Sequence, residues 1–114
     1  MVDSTLQAAI KQIHDSAHKL VFEFTGAGSL ALFQLHSVAG SSRTILEATD
    51  RYSAPSLVDL LGNIPEQFVS RETAIAMAAQ AYRRARRLAA PGTACLGVAC
   101  TAAIATDRVR HGED

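Results

Sequence analysis

Aromatic side chains are scarce in this sequence: two tyrosines and four phenylalanines make up 5% of 114 residues. The apolar share is nonetheless 48%, an ordinary globular value carried by Ala, Leu, Val and Ile. Net charge is missing too. Eleven basic and 11 acidic side chains cancel, so no global field favours nucleic acid or an acidic membrane surface. No apolar run is long enough to span a bilayer. Met1 to Lys11, with Asp3 and no compact apolar stretch, does not read as a signal peptide. Only two cysteines occur, Cys95 and Cys100, five apart in an apolar stretch. On a strand that spacing sends them to opposite faces, which argues against a mutual disulfide. They read as buried free thiols of a reducing compartment, which predicts a cytoplasmic protein. Repeats, low-complexity tracts and linkers are also lacking. The length gives room for one core, so residues 1–114 are expected to form one domain.

What is present is an alternation of elements. Asp3 or Ser4 can cap a first helix, with Gln7 as the capping-box partner of Ser4. Leu6, Ala9, Ile10 and Ile13 share one face of it. The helix is expected to end near His18, because Leu20, Phe22 and Phe24 alternate with Lys19, Val21 and Glu23 in a strand over 19–25. Thr25-Gly26-Ala27-Gly28-Ser29 breaks that strand, and Leu30 to Val38 reads as a second helix. After a turn at Ala39-Gly40-Ser41-Ser42, the β-rich Thr44, Ile45 and Leu46 predict a second strand within 43–52. Pro55 suits the first turn of a short helix whose end is marked by Gly62. Ser70 as N-cap and Glu72 in the first turn open a long helix over 73–90. Its apolar stripe is Met77, Ala78, Ala81, Ala85 and Leu88, which reads as core. Pro91-Gly92 stops it, and the small apolar run 93–106 reads as a buried strand. The order α-β-α-β-α-α-β implies an α/β sheet with helices on its faces.

Several chemistries fit poorly. His14, His18, His36 and His111 do not pair at metal-ligand spacing, and His14 with His18 reads as an exposed helix pair without a third ligand. No metal and no cofactor is expected. Arg83, Arg84, Arg86 and Arg87 crowd one helix end, where the dipole favours cations, without interleaved aromatics. That reads as a solvated or subunit-facing surface rather than a nucleic-acid face. The loop from Thr25 to Ser29 is more telling, because it follows a strand and opens a helix. Gly26, Gly28 and Ser29 can turn the backbone so that free N–H groups converge on an anion such as phosphate; a tight turn without ligand is the alternative. Ser41 and Ser42 form a second hydroxyl-rich turn, read either as ligand contacts or as plain capping residues. Tyr52 and Ser53 end the second strand and Thr101 lies near the end of the third, the usual ligand edge of an open α/β sheet.

Taken together, Ala39-Gly40-Ser41-Ser42, Tyr52-Ser53, Leu60-Leu61-Gly62, Val69-Ser70, Ala76-Met77-Ala78 and Leu96-Gly97-Val98-Ala99 with Thr101 resemble the CinA family. The order and spacing of these blocks, over roughly Leu20 to Thr106, are similar to its C-terminal amidase domain, the nicotinamide mononucleotide deamidase type. The resemblance implies a three-layer α/β/α fold with a mostly parallel sheet, a homodimer or higher oligomer, and hydrolysis of a nicotinamide nucleotide's amide. It also implies a further strand and helix beyond the equivalent of Thr106, so the domain here is expected to be cut short at its C-terminal end. A divergent branch that precedes nucleotidyltransferase-like domains looks nearer still.

The family's chemistry is where this sequence departs. The family pattern has a nucleophilic serine in Glu-Ser-X-Thr-Gly-Gly; the resemblance puts Thr25 there, with Phe24 at the acidic position and Gly28 and Ser29 at the glycines. The lysine of Tyr-Ser-Asn-X-X-Lys falls on Leu57, and a later Thr-Gly on Thr101-Ala102. A hydroxyl needs an adjacent base to act as a nucleophile, and losing one forfeits a factor of about 10²–10⁴. The resulting expectation is a degenerate, non-catalytic CinA-type domain that binds a small anionic or nucleotide ligand. The alternatives are an active amidohydrolase with Thr25 as replacement nucleophile, and a structural or oligomerisation module.

Overall fold

The structure, a computed structural model, describes residues 3–104. His111 and the expected end of the last strand at Thr106 lie outside them. Helix α1, Ser4–His14, is capped by Asp3, whose carboxylate accepts the Leu6 N–H at 2.8 Å. The capping box expected from Ser4 and Gln7 does not form, since Ser4 is already helical and Gln7 N–H bonds the Asp3 carbonyl. Strand β1, Lys19–Gly26, leads into α2, Ser29–His36. A 3-10 turn at Ser41–Arg43 precedes β2, Ile45–Asp50. Then come α3, Ala54–Leu61, capped by Ser53 and ended by Gly62, and α4, Arg71–Leu88, capped by Ser70. Strand β3, Cys95–Ala102, closes the described chain.

The three strands lie in the order β2-β1-β3, all parallel, with Leu20 beside Ile45 on one side and Leu96 on the other. Parallel strands need crossovers, and crossovers are right-handed. The chain steps from β1 to β2 in one direction through α2, then back across β1 to β3 through α3 and α4. The reversal places the two connections on opposite faces, giving the three layers. On one face Leu20, Phe22 and Phe24 pack with Leu32 of α2; on the other, Val21 packs with Ala81 and Ala85 of α4. Central β1 is therefore buried on both faces, including Glu23, which alternates with Phe22 and Phe24. Cys95 joins the α4 face and Cys100 the opposite one, as their odd spacing requires, and both are free.

Two glycines set the distance between layers. A Cβ on Gly97 would collide with the Ala78 carbonyl oxygen and the Tyr82 nitrogen, so α4 lies directly on the β3 backbone. A Cβ on Gly28 would meet Phe22 and Phe24 at 2.8 Å. Helix α1 departs from expectation. Ile10 is buried but Ile13 is exposed, and the buried partner of Ile10 is His14, 1% exposed. His14 Nδ1 lies 2.8 Å from Thr44 Oγ1 and Nε2 3.0 Å from the Leu35 carbonyl. The expected exposed His14–His18 pair is thus wrong for His14, which pins α1 to α2 and to the start of β2.

Candidate functional site

In a parallel sheet ordered 2-1-3, the connection that leaves β1 and the one that enters β3 run on opposite faces, and at this switch point a crevice opens at the C-terminal ends of the strands. Here that crevice is a hollow of about 180 Å³ lined by Thr25, Arg51, Tyr52, Ser53, Leu57 and Thr101, with Phe68, Val69 and 102–104 closing it. Thr25 and Thr101 are cross-strand partners. The Thr25 oxygen accepts the Ala102 N–H at 3.3 Å, and its hydroxyl lies 3.5 Å from Thr101 Oγ1. Thr101 in turn donates to the Phe68 carbonyl at 2.7 Å. Leu57, 2% exposed, supplies apolar wall. Tyr52 is 63% exposed, and its ring edge comes within 3.1 Å of where a Gly26 Cβ would sit.

Expected site residues divide by the polarity of the sheet. Thr25, Gly26, Tyr52, Ser53 and Thr101 converge at the C-terminal edge. Ser41 and Ser42 do not: they precede β2 and so lie at the opposite, N-terminal edge of a parallel sheet, where Ser41 Oγ is 2.6 Å from His36 Nδ1. Gly28 and Ser29 belong to the α2 side, Gly28 buried on Phe22 and Phe24 and Ser29 opening the helix. Within the loop the Gly26 N–H is engaged, donating to Asp50 Oδ1 at 2.7 Å. Ser53 Oγ accepts the Ser56 N–H as the cap of α3.

Two residues were missed in the sequence. Glu23 is buried one pleat below Thr25 on the same face, and Arg51 Nε donates to its carboxylate at 2.9 Å. The Arg51 backbone N–H bonds the Phe24 carbonyl, so the residue is fixed at both ends. The hydrogen bond to Glu23, opposed by burial, raises the Arg51 pKa above its usual value, and the guanidinium stays charged. An acidic residue in an otherwise apolar strand was the available signal. A second hollow, about 260 Å³, lies between Leu61, Glu66 and the start of α4; it touches neither β1 nor β3, so the switch-point hollow is the better candidate. Among the described residues no three His, Cys, Asp or Glu side chains gather to hold a metal ion.

No protein-family model and no curated protein matches the chain. Among solved structures, the competence/damage-inducible protein CihA from Agrobacterium tumefaciens is similar, with a TM-score of 0.62 at 22% identity over 74% of this chain. The chain spans 56% of the length of that structure. At this identity the likeness is one of fold: a three-layer α/β/α architecture with a parallel sheet.

Proposed function

We propose that the chain is one non-catalytic CinA-type domain that binds a small anionic or nucleotide ligand in the hollow between β1 and β3. The observation that carries this reading is the contact set of Thr25. Its oxygen meets a backbone N–H and another hydroxyl, while the neighbouring wall position that the resemblance gives to a lysine is the buried Leu57. A threonine without a base is not a competent nucleophile, yet the same hydroxyls suit polar recognition. Exposed Tyr52 offers a face on which a flat ring can stack. The hollow is small against the about 300–1,000 Å³ of full ligand pockets, which favours a mononucleotide, partly outside on Tyr52, over a dinucleotide.

A second reading, self-assembly, is favoured by a separate observation. Leu30, Phe33, Leu96 and Val98 are exposed on the α2 side of the sheet, and β3 carries no charge that would guard an edge. A second copy of the chain covering this face accounts for both features. No helix among the described residues is long and apolar enough to cross a membrane, and free Cys95 and Cys100 fit a reducing cytoplasm. Thermal melting with nicotinamide mononucleotide and an ammonia assay test the main reading. A melting point that rises with saturation, without ammonia release, is expected. An unmoved melting point at millimolar ligand counts against binding, and turnover counts against the non-catalytic reading.

A further inference from the structure

Behind the Thr25 hollow, on the same face of the sheet, lies a charged one lined by Glu23, Glu47, Arg51, Arg84 and Arg87. Arg51 belongs to the walls of both. The two ion pairs in this region differ. Arg84 uses Nε and Nη2 on Glu47, at 2.8 and 3.2 Å. Arg51 uses Nε alone on Glu23, and among the described residues neither of its Nη groups has a hydrogen-bond partner. Three guanidiniums and two carboxylates line it, and the Asp59 charge also acts on Arg51. Glu23 is a costly residue to bury, since taking a carboxylate out of water is not generally repaid by one ion pair. What the pair does achieve is a guanidinium held in a fixed plane, with four N–H donors over, the fork that carboxylates and phosphates accept in pairs. The glycine loop, in contrast, already has a carboxylate on it, Asp50 on the Gly26 N–H.

We propose that Arg51, oriented by Glu23, receives the acidic group, phosphate or carboxylate, of the ligand bound between β1 and β3. The acid is then read from the β2 side, and the glycine loop shapes the rim without holding it. This rests on the hollow being a ligand site, as proposed above. Calorimetric titration of the whole chain with three probes separates the two claims: nicotinamide riboside, its phosphorylated form nicotinamide mononucleotide, and nicotinic acid riboside, which carries the carboxylate. One or both acids should bind at least tenfold tighter than nicotinamide riboside, and the arm that does so names the acid. Arg51→Gln should bring that acid down to the riboside's affinity. Because this change strips buried Glu23 of its partner, Glu23→Gln with Arg51→Gln serves as the second variant and should show the same loss. Equal affinity for all three probes, or an acid preference that survives in either folded variant, overturns the role of Arg51 while leaving the ligand site standing. Absence of binding by every probe at millimolar concentration overturns both.

Discussion

The two faces of the sheet are closed by different means. Under α4 the contact is backbone against backbone: Met77, Ala81 and Ala85 are wholly buried, and Gly97 admits the helix because it has no side chain. On the other face α1 and α2 cover β1 and leave β3 open, with Leu96 45% and Val98 37% exposed. There the layer is fastened by a polar pin, His14, as well as by apolar contact. Small residues give a face that tolerates no added atom, whereas a polar pin holds one point and leaves the surroundings free to accept a partner.

The largest effect should come from filling the tight face. Gly97→Val sets side-chain atoms on the α4 backbone, and its destabilisation in urea should reach or exceed the about 3 kcal/mol upper range for overpacking. A tolerated valine would mean that α4 does not lie where described. His14→Ala should follow, at about 2 kcal/mol, since it leaves the buried Thr44 hydroxyl and the Leu35 carbonyl without their partner. A loss confined to a few tenths would move α1 out of the folded core.

How much of this was legible beforehand depends on whether a feature is local. All seven helices and strands of the described chain were read in order, because Pro55, Gly62, Ser70 and Pro91-Gly92 punctuate locally. The convergence of Thr25, Tyr52, Ser53 and Thr101 followed from strand ends alone. Ser41 and Ser42 do not join them, because a turn preceding a parallel strand lies at the opposite edge from the one that follows it. His14 and the Glu23–Arg51 pair failed because their partners are 30 and 28 residues away, and no periodicity within one element reports a partner so distant.

Smaller tests sharpen the contrast. On the open face, Leu96→Thr with Val98→Thr should change the stability of the isolated chain by less than about 0.5 kcal/mol per site. If a second copy covers that face, the same double change should shift sedimentation from dimer to monomer; a wild-type monomer would leave the face to another partner. At the rim of the tight face, the Arg84 hydrogen bond, ahead of its charge and against some burial, holds the Glu47 carboxyl below its ordinary 4.5. A carboxyl lowered on folding contributes stability above that value and loses it as pH falls through the lowered one. Glu47→Gln should therefore flatten the acid side of the stability profile below 4.5 and change little at neutral pH, since both side chains are a third or more exposed. One change runs the other way: Ala17 is left-handed at φ 67°, so Ala17→Gly should raise stability by up to about 1 kcal/mol.

On the proposed function the switch-point hollow binds a nucleotide and does not transform it, and one proton NMR experiment reads both halves. Unmodified protein is mixed with excess nicotinamide mononucleotide, the protein methyl signals are saturated, and transfer to the nucleotide is recorded over a day. Transfer to the nicotinamide protons, with the amide intact throughout, is the predicted result. Appearance of nicotinic acid mononucleotide, abolished in Thr25→Val, would contradict the claim by making Thr25 a nucleophile; absence of any transfer would contradict it by leaving the hollow empty.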